Sequence, residues 1–386
     1  MRRLTATLLC LVALSVTSAY AAQANQATPQ EPLIGDAPAD PGPLASNLSQ
    51  AFKLSAIQAA MRKVADWQSA RIIDKPSRDW PFAILYDGLL SASVTLNEPG
   101  YHDLVVKVAE HYDWALGAKA ISGDADDETI AQSYLWLYRE HPDARRIQPL
   151  RVQFDRTILQ PDDPAKPVWW WSYALYMGPP VWSALAATTH DSNYLDHMDR
   201  EWKLSSNLLW DPQEHLLFRD SSYFDKREKN GRKMFLSRAN GWVMGGLVRV
   251  LDDLPAGDPR RPFYEDKLRT MAETVARFQC TDGLWRPGLL DPEDYPYAET
   301  SGSAFFVYAL AWGINHHVLS AKRYRPVVKR AWAGLITHIY ADGRLGCIQP
   351  VNAALGAYTP GASSVYGVGS FLLAGAEVYQ LAARGH

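Results

Sequence analysis

Four groups of side chains carry the chemistry open to this chain. The first is Gly123-Asp124-Ala125-Asp126-Asp127-Glu128, which leads into Gln132-Ser133-Tyr134-Leu135. Acids at a helix N-terminus are stabilised by the backbone dipole, and capping accounts for one of them. The run holds more acids than a cap needs, which leaves Asp126 and Asp127 as candidate catalytic carboxylates. The second is residues 168–185, VWWWSYALYMGPPVWSAL. At helical spacing Trp169, Tyr173 and Met177 share one face, with Trp170 and Ala174 on a neighbouring one. A buried, ring-packed helix would give the same stripe. Three successive tryptophans cannot all point one way, however, so at least one is expected to face a cavity where a flat sugar ring stacks, with Trp170 and Trp171 as the candidates. The third runs from Arg219-Asp220-Ser221-Ser222-Tyr223-Phe224 to Ser237-Arg238-Ala239-Asn240-Gly241-Trp242. Arg238 and Trp242 stand i, i+4, so a guanidinium and an indole lie side by side on a helix. Such a pair can fork a carboxylate and stack the ring that bears it. A structural salt bridge beside a core tryptophan is the alternative. Arg219 and Asn240 complete the candidate substrate-binding set. The fourth is Ala298-Glu299-Thr300-Ser301-Gly302-Ser303, a polar helix entry, with the run from Ser364 to Gly369, where capping explains the hydroxyls and close helix packing the glycines.

These groups need a frame that brings them to one place. Twelve segments are helical in pattern or length, from residues 51–68 to 364–384, and strand candidates are short and scattered. Asp282-Gly283-Leu284-Trp285 and Asp342-Gly343-Arg344-Leu345 stand 60 positions apart, each between two helices, with a weaker echo at residues 210–218. A helix-loop-helix unit at a fixed period indicates a closed or solenoidal array. Six hairpins make an all-α (α/α)6 barrel, a six-hairpin toroid. Its inner helices would gather their N-termini and preceding loops at one mouth.

The front of the chain sets the compartment. Arg2 and Arg3 precede an apolar run from Leu8 to Val16 and then Ala19-Tyr20-Ala21, the pattern of a cleaved secretory signal rather than a membrane span. Residues 1–21 are therefore expected to be removed on export to the periplasm or beyond. Residues 22–49, rich in Pro, Ala, Gln and Asp without periodicity, read as a disordered leader. Residues 50–386 form the barrel domain. Losing Arg2 and Arg3 takes the formal charge from −3 to about −5, and no basic tract exists, so nucleic acid is not an expected partner. The mature cysteines, Cys280 and Cys347, leave a disulfide open. No Cys/His cluster has metal-ligand spacing, so no metal or other cofactor is expected. Fourteen Trp and 19 Tyr suit a carbohydrate-handling surface.

Several long motifs now bear on function: FRDSSYFDKREKNGRKMFLSRANGW, DGLWRPGLLDP, ETSGSAFFVYALAWGIN and GRLGCIQP followed by VYGVGSFLLAG. In order, and over residues 80–381, they resemble the unsaturated glycuronyl and rhamnogalacturonyl hydrolases of glycoside hydrolase family 105, with family 88 as relatives. The resemblance implies an (α/α)6 barrel and an oligosaccharide substrate left by polysaccharide lyases, with a 4,5-unsaturated uronate at its non-reducing end. It implies protonation of C4 and addition of water at C5, unlike ordinary two-carboxylate hydrolysis. Arg238 matches the family's arginine, Trp242 its stacking tryptophan, and Asp126 and Asp127 its paired aspartates. Where the family reads Trp-Trp-Trp-Cys-Asp-Ala-Leu-Phe-Met, with the Asp as proton donor, this chain has Tyr173. Leu236 stands where Trp is common, Ala239 where Gly is common and Glu128 where His is common. Three readings follow: a hydrolase in which Asp126 and Asp127 took over acid–base work with Tyr173 as auxiliary donor, an enzyme of β-elimination using Tyr173, or a glycan-binding relative without turnover.

Overall fold

The structure, a computed structural model, describes residues 34–117, 123–160, 163 and 165–385. Its helices come in outer–inner pairs. Outer α1 (Leu54–Ile72) leads to inner α2 (Trp80–Leu96). Outer α3 (Pro99–His111) leads, through the single turn α4 (Ala125–Glu128), to inner α5 (Ala131–Glu140). Outer α6 (Ala144–Ile158) leads, through α7 (Ala174–Met177), to inner α8 (Pro179–Thr189). The remaining pairs are α9 (Ser192–Leu209) with α10 (Ser237–Asp253), α11 (Arg261–Arg277) with α12 (Thr300–Asn315), and α13 (Ala321–Ile336) with α14 (Val365–Ala383). Each inner helix packs on the next, from α2 through α5, α8, α10 and α12 to α14, and α14 closes the ring on α2. The expected six-hairpin toroid is the fold.

Sequence explains which helices face which way. Every residue of α12 is buried, as are most of α2, α8, α10 and α14, because an inner helix has neighbours on all sides. Outer α6 and α13 carry one buried stripe and a charged outer face. The 60-residue echo is a repeated turn. Cys280 N–H donates to Leu284 O and Gly283 N–H to Cys280 O, and Tyr340, Arg344 and Gly343 repeat both bonds. Gly283 and Gly343 sit at φ +87 and +108, and a Cβ on either would strike the backbone of the outer helix below, at Arg330 or Lys63.

Two expectations change. The aromatic stretch is not one helix from residue 170: Gly178 and the Pro179–Pro180 pair split it into α7 and α8, and residues 170–173 form a turn. Residues 22–49 are not a disordered leader over their described part. Gly35–Asp36 (β1) pairs antiparallel with Ser363–Ser364 (β4), and Leu44 bridges to Tyr340, so backbone pairing holds a segment with too little apolar side chain to signal order. A second two-stranded pairing, Trp210–Asp211 (β2) with Leu216–Leu217 (β3), ends the α9 hairpin. Cys280 and Cys347 are free thiols. The expected signal, residues 1–21, lies outside the described residues, among which no helix is long and apolar enough to cross a membrane.

Candidate active site

The N-terminal turns of the inner helices meet in a cluster of rings centred on Trp242. Trp80 from α2, Tyr176 from α7, Phe305 from α12 and Tyr366 from α14 lie 5.6, 5.5, 5.3 and 5.8 Å from it, and Tyr173 lies 5.7 Å away. Trp242 is 1% exposed, so it is the floor beneath Tyr173 rather than an open stacking face. That corrects its expected role as the ring that meets substrate. Trp80 is only half-buried on the same floor. It was legible solely as an aromatic opening an inner helix.

Tyr173 sits in the turn before α7. Its position follows from Trp169, which is fully buried, with its indole packed where a side chain at Gly178 would be. Ser172 N–H donates to Arg219 O at 2.8 Å, which brings the Arg219 strand alongside. The Arg219 and Arg238 guanidiniums then lie 5.8 and 5.5 Å from the Tyr173 ring. The Tyr173 hydroxyl is buried and has no hydrogen-bond partner among the described residues. A polar group left unpaired in such a place is costly, and a ligand that pairs it recovers that energy.

Arg238 is half-buried and forms no ion pair among the described residues. Its Nη1 donates to the Tyr366 hydroxyl at 3.0 Å and to Gln349 O and Pro350 O at 3.2 and 3.4 Å. Tyr366 in turn donates to Gln349 O. Burial opposes the guanidinium charge, but the phenols of Tyr173 and Tyr366 and the Glu299 carboxylate outweigh it and keep Arg238 firmly protonated. Glu299 is fully buried as the cap of α12, accepting from Gly302 N–H at 2.6 Å and the Ser301 hydroxyl at 2.7 Å. Burial pushes the Tyr366 phenol up to about 12 against the pull of Arg238. Tyr366, Glu299 and the Gln349 carbonyl were not read as parts of the site, because their roles depend on contacts across the ring.

Arg219 is partly engaged, ion-paired with Asp220, and faces Tyr223 at 5.7 Å. Trp170 is 53% exposed, and Trp171, half-buried, lies 4.9 Å from it. Asp126 and Asp127 reach this mouth through α4, which packs on α7 and α2; Asp126 is half-buried and Asp127 buried. Asn240 is a correction. It is fully buried, its Oδ1 accepts from Leu217 N–H at 2.9 Å, and its Nδ2 donates to Leu217 O and Leu236 O at 3.1 Å. It fastens β3 to α10 and meets no ligand. Asn240→Ala is expected to destabilise the fold by about 2–4 kcal/mol by orphaning Leu217 N–H and Leu217 O, while Leu236 O keeps the backbone N–H of residue 240. KM should stay unchanged in the folded fraction, as urea unfolding beside kinetics will report.

Within this acidic run Glu128 is held protonated at neutral pH by burial. Burial pushes it up to about 8; the Trp182 indole N–H, 3.2 Å from Oε2, draws it down, and Asp124 and Asp127 raise it further. Trp182 stacks on Phe154 at 3.8 Å, which places Glu128 in the seam between inner and outer helices, away from Arg238. A carboxyl raised in the fold lends stability that is full below about pH 4.5 and is lost as pH climbs through about 8. Glu128→Gln, neutral at every pH, should therefore gain Tm over the parent between pH 5 and 9. An equal difference at both ends would refute the burial of a proton there.

At the opposite mouth the C-terminal halves of the inner helices enclose a cavity of about 640 Å³, lined by Arg139, Arg249, Asp252, Asp253, Trp312 and Glu377 among others. This cavity lies at the other end of the ring from Tyr173. Among the described residues no group of three His, Cys, Asp or Glu could hold a metal ion.

The model of Glycosyl Hydrolase Family 88 matches residues 55–382. An unsaturated 3S-rhamnoglycuronyl hydrolase of Formosa agariphila is 34% identical over 346 residues, 85% of this chain and 91% of that protein. Among solved structures, a glycosyl hydrolase family 88 protein from Bacteroides vulgatus superposes with a TM-score of 0.81 at 28% identity, covering 85% of this chain and 99% of its own. A polysaccharide lyase superposes with a TM-score of 0.80 at 31% identity, covering 84% and 97%.

Proposed function

The chain belongs to glycosyl hydrolase family 88, a family of glycosidases, and from that premise we propose that it is an exported enzyme removing a terminal 4,5-unsaturated uronate from oligosaccharides. The observation that carries the reading is the unpaired Tyr173 hydroxyl, borne on a ring that two guanidiniums approach. Arg238, with Arg219, receives the uronate carboxylate. The Tyr173 O–H gives its proton to C4, the C4=C5 electrons form the new C–H bond, and positive charge develops at C5 and the ring oxygen. The phenolate left behind is stabilised by the two guanidiniums. Water adds at C5, and its proton passes to Asp126 or Asp127. The C5 hemiketal opens by breaking its bond to the ring oxygen, and the hemiacetal left at C1 expels the leaving sugar as an alcohol, giving an open-chain keto-uronate. Trp170 and Trp171 are placed to stack that leaving sugar. The Arg2–Arg3, apolar and Ala-Tyr-Ala pattern supports export.

A second reading, β-elimination, draws on the polysaccharide lyase at 31% identity and on a phenol in the donor position. There Arg238 would neutralise a saturated uronate, tyrosinate would take H5, and the same proton would leave with the C4 oxygen, creating the C4=C5 bond. One assay separates them. Lyase digests of pectin, glycosaminoglycan, ulvan and xanthan, beside the undigested polymers, are followed by the ultraviolet absorbance of the conjugated uronate. Loss of absorbance from a digest supports hydrolysis, and a rise from a polymer overturns it in favour of elimination. Binding without either change leaves a glycan-binding module.

A further inference from the structure

The loop that holds Arg238 is itself held by the N-terminal segment. Gln349 and Pro350, whose carbonyls fix the guanidinium, belong to the connection between α13 and α14. That connection is folded back on itself: Ile348 N–H donates to Ala362 O and Cys347 N–H to Pro360 O, both at 2.9 Å. Its outer arm runs through Pro360, Gly361 and Ala362. What covers it is residues 34–45. Beyond the pairing of Gly35 with Ser364, Ile34 O accepts from Val365 N–H at 3.0 Å and from the Ser364 hydroxyl at 3.1 Å. Pro43 O accepts from Ala341 N–H, and Ala45 N–H donates to Ile339 O, at 2.9 and 2.8 Å.

Arg344 ties the two layers together. It is 3% exposed, its guanidinium donates to Gly361 O at 2.8 Å and to Pro41 O, and it lies 4.4 Å over the Tyr340 ring. One end of this charged fork therefore grips the strap and the other the arm that supports Ile348 and Gln349. A buried cation is costly unless its donors are filled, so strap and arm keep one register or lose it together.

We propose that residues 34–45 are a strap that positions the uronate-binding guanidinium, with Arg344 as the positioning residue between strap and loop. The inference rests on Arg238 receiving the uronate carboxylate. Loosening the strap shifts the Gln349 and Pro350 carbonyls and leaves Arg238 with two registers, which weakens carboxylate binding without touching Tyr173. Nothing in the strap meets substrate.

The test uses the full mature chain. Arg344→Ala is expected to raise KM for an unsaturated disaccharide about 10-fold with kcat within about twofold, the scale of a small misplacement of a binding group. Arg344→Lys, which keeps the charge and one donor, should recover part of that loss. Hydrogen exchange should quicken together in peptides spanning 34–45 and 346–366 while α2 and α10 keep their protection. A fall in kcat alone, or quickened exchange across the whole barrel, would make Arg344 a general stability residue and overturn the proposal. Glucuronate inhibition of Arg238→Ala serves as the control. If that variant binds glucuronate as the parent does, the reading of the site fails; if it loses binding while Arg344→Ala does not, only the strap fails.

Discussion

Arg238→Ala should bind a uronate-terminated oligosaccharide about 100- to 1,000-fold more weakly, since truncating one partner of a close charged pair typically costs 2–5 kcal/mol. Some lost stability is expected as well, because the guanidinium satisfies Gln349 O, Pro350 O and the Tyr366 hydroxyl. The two effects separate with a neutral ligand. A hexose-terminated analogue carries no carboxylate, so its weaker affinity should barely change in the variant if Arg238 acts on charge. Arg238→Lys keeps the charge but loses the planar fork, and should fall between. Calorimetric titration with both ligands checks this. An equal loss for both would show that the variant had only disturbed the loop.

Tyr173→Phe should lower kcat about 100- to 10,000-fold, the range for losing a positioned proton donor. Its Tm should hold, because the ring stays on Trp242 at the same separation and only an unpaired hydroxyl is lost. Substrate affinity should likewise be retained, since the guanidiniums are untouched. Tyr173→Asp asks a different question. It places the resembled family's donor in this site, and hydrolysis of unsaturated disaccharides should survive or rise if protonation of C4 is the step that Tyr173 performs. Loss of all turnover in the Asp variant, with absorbance rising from polymer in the parent, would instead assign Tyr173 to taking H5. Full activity in the Phe variant would remove the phenol from the reaction.

The frame was legible because its signals are local and repeated. Hydrophobic length marked the helices, and the Asp-Gly turns sixty residues apart marked the repeat, because each must place a glycine where a positive φ meets an outer helix. Arg238 and Tyr173 were legible from type and spacing, the one as a helical neighbour of Trp242, the other as the polar group in a run of rings. Asn240 was misread for a physical reason. An amide beside a candidate arginine looks the same in sequence whether it faces a ligand or clasps Leu217. Trp242 was misplaced for a related one, since helical spacing sets which residues share a face but not which face meets the opening. Glu128 passed as one more capping acid because only the packing of Trp182 and Phe154 takes it out of water.

The sequence by itself determined six hairpins, an arginine one helical turn from Trp242 and a phenol where the family it resembles reads an acid, since periodicity, residue chemistry and motif order travel along the chain. Which groups touch was decided only by closing the ring. That closure brings the Arg219 and Arg238 guanidiniums to the Tyr173 ring, buries Trp242 against that ring and lays residues 34–45 over the loop before α14. Contacts between residues more than a hundred positions apart follow from how twelve helices fill space together, and no local pattern encodes them.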